Sequence, residues 1–177
     1  MDYNYTRSGN AISKSARVLG SQFVVNRGTS VVGPGTEVCG DRNNGRPVIS
    51  WGPYVVLDGC ALRPAERAAA EFAPLRIGTH VYIGRASVVE ASSIGNHVII
   101  GANCRIGAHA VIRNCTIVPD NSEVPPRAAV GPMTKFAPAQ RPTDLPESAE
   151  SAIGFYCEMK YRGVNVEPPF NRLQCVP

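Results

Sequence analysis

Residues 77–112 read IGTHVYIGRASVVEASSIGNHVIIGANCRIGAHAVI, and this stretch decides the fold. Cut at each lead residue, the register runs IGTHVY, IGRASV, VEASS, IGNHVI, IGANCR, IGAHAV and on into IRNCT. Ile94, Ile100, Ile106 and Ile112 fall six residues apart. Two of the seven units read as one residue short. An upstream copy, SWGPYV-VLDGCA-LRP, places Ser50, Val56 and Leu62 at the lead positions. Further upstream Ile12, Val18, Val24, Val31 and Val38 recur at six or seven residues.

Six is a poor helical period but a multiple of the strand period of two, so every lead side chain can face the same way. β-Branched Ile and Val favour extended backbone, and the Gly that follows permits a sharp corner. The fifth position carries Val81, Ser87, Ser93, Val98, Cys104 and Ala110, all slim. Large inward residues beside the corners, alternating with small ones, describe a narrow prism. The expected fold is all-β: a parallel β-helix with three short strands per coil, each coil bonded to the next at about 4.8 Å.

The bulk composition agrees with one domain of this kind. The chain has 177 residues, 44% hydrophobic but only 7% aromatic, so small and branched aliphatics must build the core. Net charge is +4, and the basic residues are scattered along the chain without a run, which argues against a nucleic-acid partner. The first ten residues, MDYNYTRSGN, lack the apolar core of a signal peptide. No apolar stretch is long enough to span a membrane. Six Cys without a C-x-x-C pair fit reduced thiols in a cytosolic protein.

The interruptions divide the chain. We expect an N-terminal arm at 1–10 and the β-helix at 11–131, with loop insertions at 41–47 and 63–75. The second insertion, PAERAAAEFAP, is Ala-rich and is expected to hold a short helical turn. A Pro-rich connector at 132–145, extended over the surface, leads to a helix at 146–163 and a tail at 164–177. The helix presents Ala149, Ala152, Ile153, Tyr156 and Met159 or Lys160 on one face, with Pro146 in its first turn and Gly163 at its end. It is expected to pack along the prism. In the tail, Phe170 and Leu173 could pin the segment down or bind another chain.

Three histidines, His80, His97 and His109, each lie three residues after a lead Ile. His80 and His97 are one coil apart, so they should stack on one edge. A two-His metal site is the sharp reading. An exposed ladder beside a turn is preferred, because neutral imidazoles without a neighbouring carboxylate lack the usual second partner. Cys104 and Cys115 are candidate nucleophiles, but Cys104 holds a small inward position, where Cys is ordinarily a compact hydrophobe. Asp120-Asn121 suits a corner turn better than a catalytic acid. Loop 63–75 offers Arg63, Glu66, Arg67, Glu71 and Phe72 as a partner-binding set, since insertions in a tight solenoid are often binding faces. A flat coil end is a second candidate surface.

The periodic region resembles the bacterial-transferase hexapeptide family and its γ-class carbonic anhydrase branch. Further segments narrow the resemblance: SGNAISKSARVLGSQFVVNRGTSVVGPGTEVCGD at 8–41, LRIGTHVYIG at 75–84, IVPDNSEVPPRAAV at 117–130 and DLPES at 144–148. Together they resemble the dynactin subunit 5 family, over about residues 8–162. That resemblance implies a left-handed β-helix and a non-enzymatic role at the pointed end of dynactin. The implied partners are dynactin subunit 6, the larger zinc-containing dynactin subunit 4, the pointed-end actin-related protein and dynein cargo adaptors. It implies no cofactor.

Two departures stand out: Trp51 replaces the Gly expected after the lead at 50, and the Arg-Gly-Asp step of the carbonic anhydrase branch is Cys39-Gly40-Asp41. The three metal-binding His of that branch match Ala102, Gly107 and Arg63 here. Ala and Gly carry no ligand atom and Arg is cationic, so a zinc site of that type is not expected. A homotrimeric hexapeptide acyltransferase, with one of the three His as base, or a degenerate γ-class carbonic anhydrase, is the alternative.

Overall fold

The computed structural model describes residues 2–169 and 173. Its strands stack into three sheets that form the sides of a triangular prism. The first face has nine strands and the second and third have six each. One coil runs through all three: 81–83 on the first face, 88–89 on the second and 93–94 on the third. The next coil places 98–100, 105–106 and 111–112 on them in parallel register.

The lead residues fill the interior. Ile77, Ile83, Val89, Ile94, Ile100, Ile106 and Ile112 are all buried. The slim fifth positions Val81, Ser87, Val98, Cys104 and Ala110 are buried with them. Each Ile or Val sequestered this way is worth about 1.5–3 kcal/mol, so the stack stabilises itself rung by rung.

The register corrects the sequence reading at several rungs. Trp51 pairs with Ile77, and Leu57 with Ile83, so these two lead, rather than Ser50 and Val56. Trp51-Gly52 is therefore an Ile-Gly step with a larger side chain, and the apparent loss of Gly disappears. Val118 pairs with Ile100, so 112–117 is a full unit; only the unit that starts at Val89 is short. In that short unit Ala91 is buried where Ser93 was expected. Val32 and Asn26 lead the early coils in place of Val31 and Val24, as their partners Leu57 and Trp51 show. Asn26 is a polar lead. Its amide donates to Ser30 Oγ at 2.9 Å, and Ser30 also meets Asn10 Oδ1 and the Trp51 indole N–H. This closed polar network seats the first coils on one another.

Corners need left-handed backbone. Tyr54, His80, His97, Cys115 and Met133 all have positive φ and occupy one corner ladder. At the same corner a Cβ on Gly78 or Gly95 would collide with the side-chain oxygen of Asn96 or Asn114 from the next coil. Those oxygens accept backbone N–H bonds, Asn96 from Thr79 and Asn114 from Asn96. Gly here makes room for the bond that joins consecutive coils.

Both ends of the first face are closed by antiparallel strands. Tyr3–Tyr5 folds back on Ala11–Ser13, and Thr143–Asp144 folds back on Thr134–Lys135. The chain at 132–145 thus adds a rung to the prism before it reaches the helix. That helix, α1, spans Ala149–Tyr161 and buries Ala149, Ile153, Gly154, Tyr156 and Cys157; Ala152 lies at the edge of the buried stripe. Gly163 N–H donates to Lys160 O and Val164 N–H to Met159 O, a Schellman closure with Gly163 at φ 75°.

The first face is the one α1 covers, because its outward positions are apolar. Ile99 and Ile117 point away from the prism interior yet are completely buried, in a second cluster with Leu145, Ala149, Ile153, Tyr156 and Cys157. Tyr82, Met133, Val166 and Leu173 flank it. Phe170 and Cys175 lie outside the described residues.

Ile99 and Val111 both occupy outward strand positions, but only Ile99 sits under α1. Ile99→Ala should therefore lower the unfolding free energy by roughly 2–5 kcal/mol. Val111→Ala on the open third face should stay within about 0.5 kcal/mol. Urea titration of both variants checks the contrast.

Candidate functional site

Three regions gather the residues singled out from the sequence: the corner ladder under α1, the hairpin at 63–75 and the corners that match the metal-binding motif.

At the first, His80 and His97 stack with ring centroids 4.8 Å apart and planes 8° from parallel. Tyr54 continues the stack on His80 at 4.8 Å, and Tyr161 of α1 meets Tyr54 edge-on. The expected ladder exists, but it is not exposed. The two imidazole side chains retain only 20% and 21% of their accessible surface. Carboxylates are also present, supplied by α1: Glu158 Oε1 lies 3.3 Å from His80 Nε2, and Glu150 Oε1 lies 3.8 Å from His97 Nδ1. Their sequence distance hid them. Gly154 rests directly on the rings, with its position for a Cβ 3.4 Å from His97 Cδ2. The ladder is a seat for the helix. Tyr161 fastens the far end by donating to Gly9 O at 2.8 Å.

Burial and the neighbouring His80 together push the His97 pKa below its ordinary value of 6.5, with Glu150 opposing. A positive charge on the His97 ring is poorly solvated in this seam.

Residues 63–75 do not form a helical turn. Glu66–Ala68 and Glu71–Phe72 pair as an antiparallel hairpin, with Ala69 and Ala70 both at positive φ in its turn. Ala-rich composition favours helix, but both ends of the insertion are fixed at one corner of the prism, and anchors along its length hold it extended. The Asn44 side chain accepts from Phe72 N–H at 2.9 Å and donates to Phe72 O at 3.1 Å, as a neighbouring strand would. His109 Nε2 lies 3.0 Å from Glu66 O, and Ala73 N–H donates to Ala65 O. Glu66, Arg67 and Glu71 are exposed on the hairpin. Phe72 is half-buried against the main core, and Arg63 belongs to the coil, its N–H donating to Val89 O. Asn44 was missed because its partner lies in the other insertion.

Arg63 and Gly107 share the corner between the second and third faces, whereas Ala102 lies at the corner between the first and second. Gly107 packs where a Cβ would strike Pro126. Among the described residues no group of three His, Cys, Asp or Glu could hold a metal ion. Cys104 Sγ donates to Pro119 O, and burial raises its pKa; Cys115 is likewise raised, by burial and then by Glu150. Thiols so held are poor nucleophiles. Asp120 Oδ1 accepts from Ala102 N–H at 2.8 Å, and Asn121 turns the corner at φ 59°. Among the described residues no helix is long and apolar enough to cross a membrane.

The coil geometry places the chain among the hexapeptide-repeat left-handed β-helix proteins. It superposes on the N-acyltransferase AntD from Bacillus cereus with a TM-score of 0.61 at 17% identity, over 86% of this chain and 89% of that one. PerB from Caulobacter crescentus gives 0.55 at 20%, over 74% and 56%. At such identities the likeness is one of fold. The family model for dynactin subunit 5 matches residues 1–154, and the chain belongs to that family. The dynactin subunit 5 of Dictyostelium discoideum is 33% identical over 100 residues, which is 53% of this chain and 48% of that protein. The match therefore spans about half of that relative's length.

Two outcomes follow from the helix seat. Gly154→Ala should be tolerated, since its new Cβ makes an ordinary contact and Ala favours helix by up to about 1 kcal/mol. Gly154→Leu should displace α1 and speed amide exchange in residues 149–161. Separately, the unfolded chain takes up the His97 proton more readily than the folded one. Stability should be full above pH 6.5 and fall as pH drops from there toward the lowered value. Denaturant midpoints measured between pH 7.5 and 5.5 should show the fall, and His97→Asn should flatten it.

Proposed function

We propose that this chain is a non-catalytic scaffold subunit of the dynactin pointed-end complex, acting in the cytoplasm in dynein-based transport along microtubules. The family match over residues 1–154 carries the reading. The uses to which the structure puts its histidines support it. His80 and His97 seat α1, and His109 holds the hairpin.

A scaffold needs surfaces to offer, and two kinds are present. The hairpin projects Glu66, Arg67 and Glu71 into solvent from anchors at Arg63 and Phe72, and we assign it to a partner contact. The coil ends are the second. On the second and third faces the outermost strands, Arg17–Leu19 and Val24–Asn26 at one end, have no further strand beside them among the described residues. Val18, Phe23 and Val24 are only half-buried there. An unpaired parallel edge over a partly open apolar core is suited to stacking against another β-helix. The partners assigned are dynactin subunit 6, dynactin subunit 4, the pointed-end actin-related protein and dynein cargo adaptors.

Affinity purification of the tagged full chain from its own cells tests the reading. Recovery of a second hexapeptide-repeat protein, an actin-related protein and dynein components is expected. Replacing residues 66–72 by a short turn should lose at least one of these while leaving the fold intact by circular dichroism. A lone homotrimer that binds acetyl-CoA would overturn the proposal in favour of an acyltransferase.

A further inference from the structure

The outward side chains of the second face stand in one column. Its strands follow one another in parallel register, so Arg17, Glu37, Ala61, Val88, Arg105 and Glu123 are Cα partners from rung to rung. No register shift interrupts them. None of the six is buried, and Arg17, Arg105 and Glu123 are exposed. From the first coil to the last, the column reads cation, anion, two small apolar residues, cation, anion.

Neighbours along the column do not neutralise one another. Among the described residues neither Arg17 nor Arg105 has a carboxylate within ion-pairing distance, although Glu37 and Glu123 stand on the adjacent rungs. Glu37 Oε1 instead accepts from Cys39 Sγ at 3.4 Å. Both arginines are left with their charge to offer a partner.

The order of the charges selects that partner. Turned end for end, the column is complementary to itself at every charged rung. Arg17 meets a second copy's Glu123, Glu37 meets its Arg105, and Ala61 meets its Val88 at the centre. Laid side by side in the same direction, two columns would set like charge on like. Neither other face has this property. The first is covered by α1, and the third carries Val25, Ser50, Arg76, Ser93, Val111 and Ala129 outward, one cation with no counterpart.

The spacing narrows the choice further. Rungs about 4.8 Å apart carry the column over about 24 Å. An extended strand presents same-side residues about every 6.6 Å, and an α-helix completes a turn every 5.4 Å or so, so both fall out of step. Another stack of paired strands keeps step over the whole length.

We propose that two copies of this chain associate through their second faces, with prism axes antiparallel, about a two-fold axis that passes between the Ala61 and Val88 rungs. The contact is isologous: four ion pairs surround a small apolar centre, and each residue meets the same partner twice. A face this narrow buries little area, so the pairing is weak and salt-sensitive rather than obligate. It uses neither the coil ends nor the exposed residues of the hairpin. It therefore stands apart from membership of the pointed-end complex, and its failure would leave that reading untouched.

Sedimentation velocity of the full chain from about 5 to 500 μM, the range that a small interface calls for, should show a monomer–dimer equilibrium that added salt shifts toward monomer. Arg105→Glu sets carboxylate against carboxylate at two places and should weaken the dimer about tenfold or more. The double variant Glu37→Arg/Arg105→Glu restores opposite charges in the antiparallel arrangement alone and should recover the pairing. Arg76→Glu on the third face should change nothing. Direction is read by cross-linking: a mixture of Ala61→Cys chains with Val88→Cys chains should form a disulfide-linked dimer more readily than either variant alone. A chain that stays monomeric throughout, a double variant that does not recover, or Ala61→Cys chains that link to themselves as readily as to Val88→Cys would each overturn the proposal. So would a monomeric chain whose Arg105→Glu variant loses a second hexapeptide-repeat protein from cells, because the face would then belong to a different β-helix.

Discussion

Every feature of this protein depends on one constraint: each coil must close on itself at three corners and hydrogen-bond edge-on to the next. Closure requires left-handed backbone at non-glycine residues such as His80, His97 and Asn121. Isolated, each such residue costs free energy. The ladder bonds and the buried lead residues offset that cost only when coils stack, so the fold is cooperative along its axis. The constraint also fixes position. Residues in the same place of successive coils lie one above another, about 4.8 Å apart, however far apart they are in the chain.

That geometry explains why the sequence was legible where it was. Ile77 through Ile112 repeat because each must fill the same interior place, and a period of six with Gly beside Ile has few other physical meanings. The reading slipped where the outward residue of a triplet is as apolar as the inward ones. VVL at 55–57 and TIV at 116–118 hold Val56 and Ile117 outward, and each was mistaken for the lead in place of Leu57 or Val118. Those triplets were the available signal for a covered face. Three consecutive apolar residues in a strand mean burial on both sides, and α1 provides the second.

Long-range partners were less legible. The hairpin at 66–72 could not be found from Ala-rich composition, because what extends it is the Asn44 amide and the His109 ring, each contributed by another coil at the same corner. Likewise the carboxylates that meet His80 and His97 come from a helix far along the chain. The charge reading had the same limit. The basic residues look scattered in sequence, yet the stacking brings Arg17 and Arg105 into one column of the second face with Glu37 and Glu123. Linear charge patterning assumes that neighbours in space are neighbours in sequence, and a solenoid of this kind breaks that assumption most strongly for residues one or two coils apart.

The same prism thus supports different chemistry on each side without altering its interior. Inward positions are held by packing mostly to Ile, Val, Leu and small residues, with Trp51 and Asn26 as exceptions among the leads, and they say nothing about catalysis or binding. Outward positions, and corners other than those such as Gly78 and Gly95 that the next coil crowds, are far less constrained. On the first face they hold the protein's own helix, through Ile99, Ile117 and the histidine ladder. On the second, opposite charges stand in register and reduce the pull on any partner of a single charge. On the third they leave cations uncompensated. Among the described residues Arg17 and Arg105 of the second face form no ion pair with the carboxylates beside them, so exposed charges on either face add little to stability.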